Sequence, residues 1–128
     1  MVEITLFDSD SIRLSIQYLY SIAGYITYRV TVKSGDFSGT SSFCQPVEEI
    51  NRQIDDLRLM ENELSGTCRI NDIESDAFIV FDLLDLGHIS AAGLVGSSFE
   101  AHSMRFALLV DQTVLPILIH AFTSFLDY

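Results

Sequence analysis

The sequence predicts an α+β fold in which strongly curved antiparallel β-sheet packs on two helices, in the order ββββα-ββββα. Apolar and polar residues alternate with a period of two over most of the chain, which is typical of half-buried strands. The period lengthens to that of an amphipathic helix in two places, after Pro46 and after Asp111. With 128 residues, 48% of them apolar, the chain has enough material for the core of one domain, and wholesale disorder is excluded.

The first half of the chain begins with strand patterns. Residues 12–18 and 26–33 each place apolar side chains on one face and polar side chains on the other. Residues 2–7 and 37–44 are the other two predicted strands, and the Ser34, Gly35, Asp36 sequence predicts a turn before the last of them. We therefore expect four antiparallel strands ahead of the first helix.

The first helix is predicted from a stripe of apolar residues spaced three, four and three apart, namely Val47, Ile50, Ile54 and Leu57. Pro46 suits the first turn of a helix, and the helix should end near residues 61–63. Glu48 and Arg52 are four residues apart, so we expect them to form a modest surface ion pair.

The second half repeats this order. Strands are predicted at residues 64–71, 77–84, 87–96 and 99–110, and the second of them is apolar on both faces except at Asp82. A final apolar helix follows, with Thr113 as its N-cap and Pro116 in its first turn. We interpret residues 1–128 as a single domain with pseudo-repeat halves at 1–62 and 63–128.

Targeting signals and cysteine usage indicate a cytoplasmic protein. The N-terminus has no basic start, and the most apolar segment is far shorter than the ~20 residues that span a bilayer. Cys44 and Cys68 are expected to be reduced packing residues, although the sequence leaves open whether they are close enough to pair.

The charge is strongly negative and uneven. Eighteen acidic residues against seven basic ones give a net charge of −11, which excludes a general binder of the nucleic-acid backbone. Eleven acids and three bases fall in residues 48–85, for a net charge of −8 there. The candidate residues for an acidic partner-binding face are Glu48, Glu49, Asp55, Asp56, Glu61, Glu63, Asp72, Glu74 and Asp76. Such a face would steer a basic partner, and an ordinary solvated helix face is the alternative explanation.

No pattern in the sequence predicts catalysis, a cofactor or a metal. His88, His102 and His120 fall on different predicted elements, and no metal-finger spacing, P-loop, nucleophile elbow or calcium loop is present. His120 is expected in the core or at its boundary, and Asp82 is expected to reach solvent near a strand end. Four tyrosines could line a groove, but core packing explains their spacing better: Tyr18, Tyr20, Tyr25 and Tyr28.

Several short motifs resemble the WapI-type immunity proteins of bacterial polymorphic-toxin systems, in order and spacing over roughly residues 12–126. They are Asp36-Phe37-Ser38-Gly39, the helix after Pro46, Leu64-Ser65-Gly66, Leu86-Gly87-His88-Ile89 with Gly93-Leu94, and Phe106-Ala107-Leu108 leading into Asp111-Gln112-Thr113 and Leu115. The chain departs from the pattern in having no tryptophan.

The resemblance implies a cytosolic inhibitor that binds and blocks the toxic domain of a secreted or contact-delivered protein, without catalytic residues. Toxin domains of this kind are often nucleases with basic clefts, which an acidic protein can occupy. We expect no cofactor, no nucleic-acid partner because of the negative charge, and no membrane partner because no apolar stretch is long enough; homodimer formation is left open.

Two other classes of function stay open at this point. An acidic self-associating or protein-interaction module without a toxin partner is favoured by the apolar last helix and the long strand at residues 99–110. A small-ligand or metal-binding enzyme is favoured only by Asp82, Asp85 and the histidines.

Overall fold

The computed structural model describes residues 2–97 and 101–128 and has the expected order of elements. The first half contains β1 (Glu3–Asp8), β2 (Ile12–Ile22), β3 (Tyr25–Ser34), β4 (Phe37–Pro46) and α1 (Val47–Glu63). The second half contains β5 (Thr67–Asn71), β6 (Phe78–Leu83), a short 3₁₀ turn (Asp85–Gly87), β7 (His88–Gly96), β8 (Ser103–Asp111) and α2 (Val114–Leu126).

Each half forms a four-stranded antiparallel sheet in which sequential strands are neighbours. The first sheet has the order β1-β2-β3-β4 and the second has the order β5-β6-β7-β8. The predicted α+β class and ββββα-ββββα order are therefore confirmed. The strand predicted for residues 99–110 is observed from Ser103, and its first two positions, 99 and 100, lie outside the described residues.

The two helices connect the halves. α2, which follows the second sheet, packs its phenylalanines on the first sheet, where Phe125 lies 5.8 Å from Tyr18 and 5.4 Å from Tyr28 between ring centroids. α1, which follows the first sheet, lies against β5 of the second, where Arg52 donates a hydrogen bond to the carbonyl of Arg69. The buried apolar side chains of both halves accordingly form one cluster.

The two sheets also touch directly at one corner. A Cβ built on Gly39 of β4 would lie 2.9 Å from a methyl group of Val95 in β7, so only glycine allows this approach without rearrangement. Ser41 donates to the carbonyl of Gly96 at 3.5 Å across the same contact. The outward faces of both sheets and the outer sides of the helices are left for other contacts.

The helix termini differ from the sequence expectations. Pro46 has an extended backbone (ψ 155°) and ends β4, so α1 begins at Val47 rather than including the proline in its first turn. Thr113 occupies the N-cap position of α2, but its hydroxyl donates to the carboxylate of Asp111 and makes no capping bond to the helix. Pro116 lies in the first turn as expected, where it disrupts no helical hydrogen bond. Within the described residues, neither helix is long and apolar enough to cross a bilayer.

Candidate interaction surface

Four carboxylates of α1 are exposed and form no salt bridge within the part of the chain that the structure describes: Glu48, Asp55, Glu61 and Glu63. Glu48, Asp55 and Glu63 are solvent-facing because the opposite side of α1 carries the buried residues Ile50, Gln53, Ile54, Leu57 and Met60. Glu61 lies on the side of α1 that faces α2, but it is exposed because it falls in the last turn of the helix. The amphipathic spacing that builds the core therefore also presents the acids outward.

Arg52 partly neutralises two further acids and ties α1 to the second sheet. Its guanidinium contacts Glu49 at 2.9 Å and Asp56 at 2.5 Å, and it also donates to the carbonyl of Arg69 at 2.8 Å. The hydrogen bond to Glu49 raises the pKa of Arg52 above its ordinary value. The expected pair between Glu48 and Arg52 is wrong, because Arg52 turns toward β5 and meets the carboxylates on that flank.

Asp72 is buried, at 8% exposure, and differs from the other candidate acids. Its carboxylate accepts hydrogen bonds from the backbone N–H of Cys44 at 2.9 Å and of Glu74 at 3.2 Å, and from the Ser75 hydroxyl at 2.7 Å. Its inclusion in a partner-binding face is therefore corrected: Asp72 fixes the loop after β5 to the end of β4. Glu74 and Asp76 on the same loop are exposed, and Asp76 accepts a hydrogen bond from Ser97.

The exposed acids lie on one flank of the molecule. α1 runs beside β5, and Gln45, just ahead of α1, donates to the carbonyl of Asn71 at 2.9 Å. That contact brings the loop carrying Glu74 to the same end of the molecule as Glu48. We call the acids of α1 and of this loop the acidic flank: Glu48, Asp55, Glu61, Glu63, Glu74 and Asp76 are exposed, and Glu49 and Asp56 are partly buried beside Arg52.

Three of the seven cations lie on the first sheet, and three others, Arg52, Arg58 and Arg69, lie on α1 and β5 among the more numerous acids. Arg13, Arg29 and Lys33 are exposed on the outward face of the first sheet, in strands β2 and β3. Arg13 is paired there with Glu3 at 3.0 Å and with Asp8 at 3.8 Å. The molecule is therefore electrically asymmetric, with most of its net negative charge on and around α1.

The histidines that were considered as candidates for catalysis lie on different elements of the structure. His88 begins β7, His102 precedes β8 and His120 lies on α2, and all three are exposed. The expectation that His120 lies in the core or at its boundary is wrong. α2 buries Leu118 and Ala121 on the side that faces the core, and His120 lies on the opposite side of the helix. Asp82 is exposed near the end of β6 as expected, and the described residues contain no group of three or more acidic, His or Cys side chains arranged to hold a metal.

The tyrosines and cysteines serve mainly in packing. Tyr18 and Tyr28 are buried, whereas Tyr20 and Tyr25 are about half exposed. Both cysteines are free thiols, and burial raises the pKa of Cys68 to about 12. Burial also raises the pKa of Tyr28 well above its ordinary value, and its hydroxyl donates to Gln45 at 2.7 Å.

Sequence reasoning missed an apolar surface beside the end of α1. Leu64, Leu84 and Leu86 are 70%, 46% and 94% exposed. The backbone N–H of Leu83 donates to the carbonyl of Gly66 at 3.0 Å, which holds the two loops carrying these leucines together. They line a shallow cavity of about 390 Å³, with Gln112 on its far wall. We call this surface the leucine hollow, defined by Leu64, Leu83, Leu84, Asp85, Leu86, Gly87 and Gln112.

A sequence signal for the hollow does exist. Leu64 is followed two residues later by Gly66, and Leu86 is followed directly by Gly87, so both leucines fall in turns at the ends of regular elements. The motifs Leu64-Ser65-Gly66 and Leu86-Gly87 are visible in the sequence, but their spacing alone assigns them no role.

No family model, no curated protein and no solved structure significantly matches this chain.

Proposed function

We propose that the protein is a cytosolic immunity-type inhibitor that binds a cognate toxin domain with a basic cleft and blocks it. The observation that carries this proposal is the acidic flank: exposed carboxylates concentrated along α1, with the exposed cations of the first sheet on different elements. Inhibition would be steric and electrostatic, because the inhibitor would occupy the cleft in place of substrate and would break no bond.

Electrostatics explain how such an inhibitor would reach its target. A net charge of −11, of which −8 falls in residues 48–85, creates a field that steers a basic surface toward α1. Carboxylates spaced along a helix also resemble the phosphates of a nucleic acid in charge. A nuclease cleft that binds phosphates is therefore one chemical fit for this surface, and a stable complex would bury ~1,600 Å² in total.

The direct test measures association of the chain with the C-terminal domain of a toxin encoded next to it. Surface plasmon resonance at low and high NaCl should show that the association rate falls by about 10-fold or more as salt rises, because exposed charges are screened. The triple variant E48Q/D55N/E61Q should reduce the association rate at low salt about 10-fold.

The matched control removes the same number of charges elsewhere. D10N/D36N/D127N changes three exposed acids outside the acidic flank and should change the association rate by less than about 3-fold. Equal effects of the two triple variants would contradict a directed acidic surface. Absence of any complex with a basic toxin domain would contradict the inhibitor function itself.

A second candidate function, self-association, is favoured by the sequence of the edge strand β8. β8 pairs only with β7 within the described chain, so its other edge is open. If two copies paired antiparallel about Leu108, Arg105 would lie opposite Asp111 of the other copy, and Ala107 opposite Leu109. Sedimentation should then give a dimer that R105E disrupts and R105E/D111R restores, and a monomer at all concentrations would exclude it.

A further inference from the structure

Leu64 and Leu86 adopt a backbone conformation that is unfavourable for leucine. Their φ values are +54° and +64°, in the left-handed region, where the Cβ of an L-residue crowds its own backbone. Glycine or asparagine is the usual residue at such positions, especially at the end of a helix, where Leu64 lies. A large side chain is therefore held in an unfavourable conformation twice within one surface.

Packing against the described part of the chain does not offset the unfavourable φ of either leucine. Leu64 is 70% exposed and Leu86 is 94% exposed, so most of both side chains lies in water. Strained, exposed apolar residues of this kind are typical of surfaces that bind a partner. Leu64 is the C-cap of α1, where its backbone N–H donates to the carbonyl of Met60 at 3.0 Å, and Leu86 lies in the middle of the 3₁₀ turn. Glycine would satisfy the backbone at both positions, so the backbone conformation does not explain why the residue is leucine.

The surroundings of the leucines define the chemistry of the partner. A second shallow depression, lined by Glu61, Gln112, Thr113, Leu115 and Pro116, adjoins the hollow and shares Leu64 as a wall. Asp85 lies within the hollow and Glu61 lines the adjoining depression, while none of the seven Lys and Arg residues lines either. An apolar surface with carboxylates in its two adjoining depressions complements an apolar side chain flanked by cations.

We propose that the leucine hollow is the apolar anchor point of the interface, and that it binds an aliphatic or aromatic side chain flanked by Lys or Arg on the partner protein. This inference deepens the proposed inhibitor function and rests on it. The hollow adjoins the end of α1, and Glu61, which belongs to the acidic flank, lines the depression next to the hollow. In such an arrangement the acidic flank governs the association rate and the hollow governs dissociation, because buried apolar anchors hold a formed complex together.

The test uses substitutions that should improve folding while removing the anchor. L64G and L86G relieve the unfavourable φ, so each should unfold at an equal or higher temperature than the unchanged protein. Each should raise the dissociation rate of the complex with the toxin domain about 10-fold or more, with little change in association rate. A23G is the matched control, because Ala23 also has positive φ (+52°) but lies in the β2–β3 turn: it should stabilise the chain without affecting binding.

A defined probe tests the chemistry of the hollow independently. The probe is a fluorescein-labelled nine-residue peptide with one central Leu flanked by two Lys on each side, and anisotropy measures its binding. We expect binding that weakens with salt, that is lost when the central Leu is replaced by Ser or the Lys residues by Glu, and that falls about 10-fold in L64G.

The outcomes separate this inference from the function on which it rests. If L64G and L86G bind the toxin domain like the unchanged protein, whereas E48Q/D55N/E61Q binds more slowly, the anchor is wrong and the inhibitor function stands. If no toxin domain binds but the peptide binds and is lost in L64G, the inhibitor function fails while the chemistry assigned to the hollow is supported. If the peptide binds equally to the unchanged protein and to L64G, the inference is overturned.

Discussion

The side-chain amides of Gln45 and Gln53 form a reciprocal pair in the interior of the molecule. Nε2 of Gln45 donates to Oε1 of Gln53 at 2.6 Å, and Nε2 of Gln53 donates back to Oε1 of Gln45 at 3.1 Å. Gln45 also accepts from the Tyr28 hydroxyl and donates to the carbonyl of Asn71, so its four hydrogen-bonding positions are all used. This network joins β3, β4, α1 and β5, and it therefore fixes how the two halves meet.

Replacing Gln45 should cost more than replacing Gln53, because Gln45 supports more partners. Q45M removes the bonds that Gln45 makes to the Tyr28 hydroxyl, the Gln53 amide and the Asn71 carbonyl. Q53M leaves two positions on Gln45 unpaired and removes a contact to the Tyr28 hydroxyl, which keeps its bond to Gln45. A buried polar group that loses its partner destabilises by about 1–3 kcal/mol. Urea unfolding should accordingly rank the free energies of unfolding as unchanged protein, then Q53M, then Q45M.

The double variant Q45M/Q53M separates the pair from the rest of the network. In the double variant both amides are absent, so neither is left without the partner that the other provided. The loss in the free energy of unfolding should therefore be smaller than the sum of the losses in the two single variants. Strictly additive losses would mean that the two amides do not act as a pair in solution.

Cys68 should make the stability depend on alkaline pH. Burial raises its pKa from 9.0 to about 12 in the folded protein, so the unfolded chain releases its proton first as the pH rises. The free energy of unfolding should therefore be unaffected by this group at neutral pH and should fall between about pH 9 and pH 12. The slope cannot exceed about 1.4 kcal/mol per pH unit for one group.

The measurement compares urea unfolding of the unchanged protein and of C68A at pH 7, 9 and 10. C68A should show a shallower decline in stability above pH 9. C44A is the comparison: burial raises the pKa of Cys44 too, but Cys44 is only partly buried, so C44A should flatten the decline less than C68A does. Ellman's reagent gives a second readout at pH 8: the native protein should react slowly or not at all at Cys68. Identical pH slopes for the unchanged protein and C68A would show that the thiol is not shielded from water.

Gly93 is required by the close approach of two strands. A Cβ at this position would lie 2.0 Å from the carbonyl oxygen of Phe78 in β6, and that backbone atom cannot move without breaking the ladder. We expect G93A to destabilise by more than about 3 kcal/mol, beyond the usual range for point variants. G35A is the control, since Gly35 faces open space: its positive φ should cost about 1–2 kcal/mol. Circular dichroism and urea unfolding measure both, and similar small losses would contradict the close approach.

Much of the fold is readable from the sequence because local periodicity records burial. The alternation in residues 26–33 predicts β3, where Ile26, Tyr28 and Val30 are indeed buried and Arg29 is exposed. The spacing of Ile50, Ile54 and Leu57 likewise predicts the buried side of α1. These features depend only on which side of an element faces the core, and each element carries that information itself.

Other features depend on partners that are distant in sequence, so no local pattern reveals them. Asp72 resembles any loop acid, and its burial is decided by the backbone N–H of Cys44, 28 residues earlier. Periodicity also gives no sign that α2 packs on the first sheet and not only on the strands that precede it in sequence. The exposed acids of α1 were predictable as surface residues, whereas the leucine hollow needed the hydrogen bond between Leu83 and Gly66 to bring two loops together.

The docking of α2 on the first sheet predicts that the two halves unfold together. Phe122 is fully buried, and its ring centroid lies 5.7 Å from that of Tyr28 in β3 and 6.0 Å from that of Phe125. F122A should destabilise by about 3–5 kcal/mol, because it leaves a cavity between the helix and the sheet. H120A, at an exposed position on the same helix, is the control and should stay within about 0.5 kcal/mol.

Native-state hydrogen exchange shows whether F122A destabilises both sheets or only α2. Because α2 covers the aromatic residues of β2 and β3, F122A should speed exchange of slow amides in the first sheet and in the second by similar factors. Faster exchange confined to α2 would mean that the helix detaches alone and that the first sheet keeps its structure without it. Since α1 is fastened to β5 through Arg52 and to α2 by packing, we expect the two sheets to lose protection together.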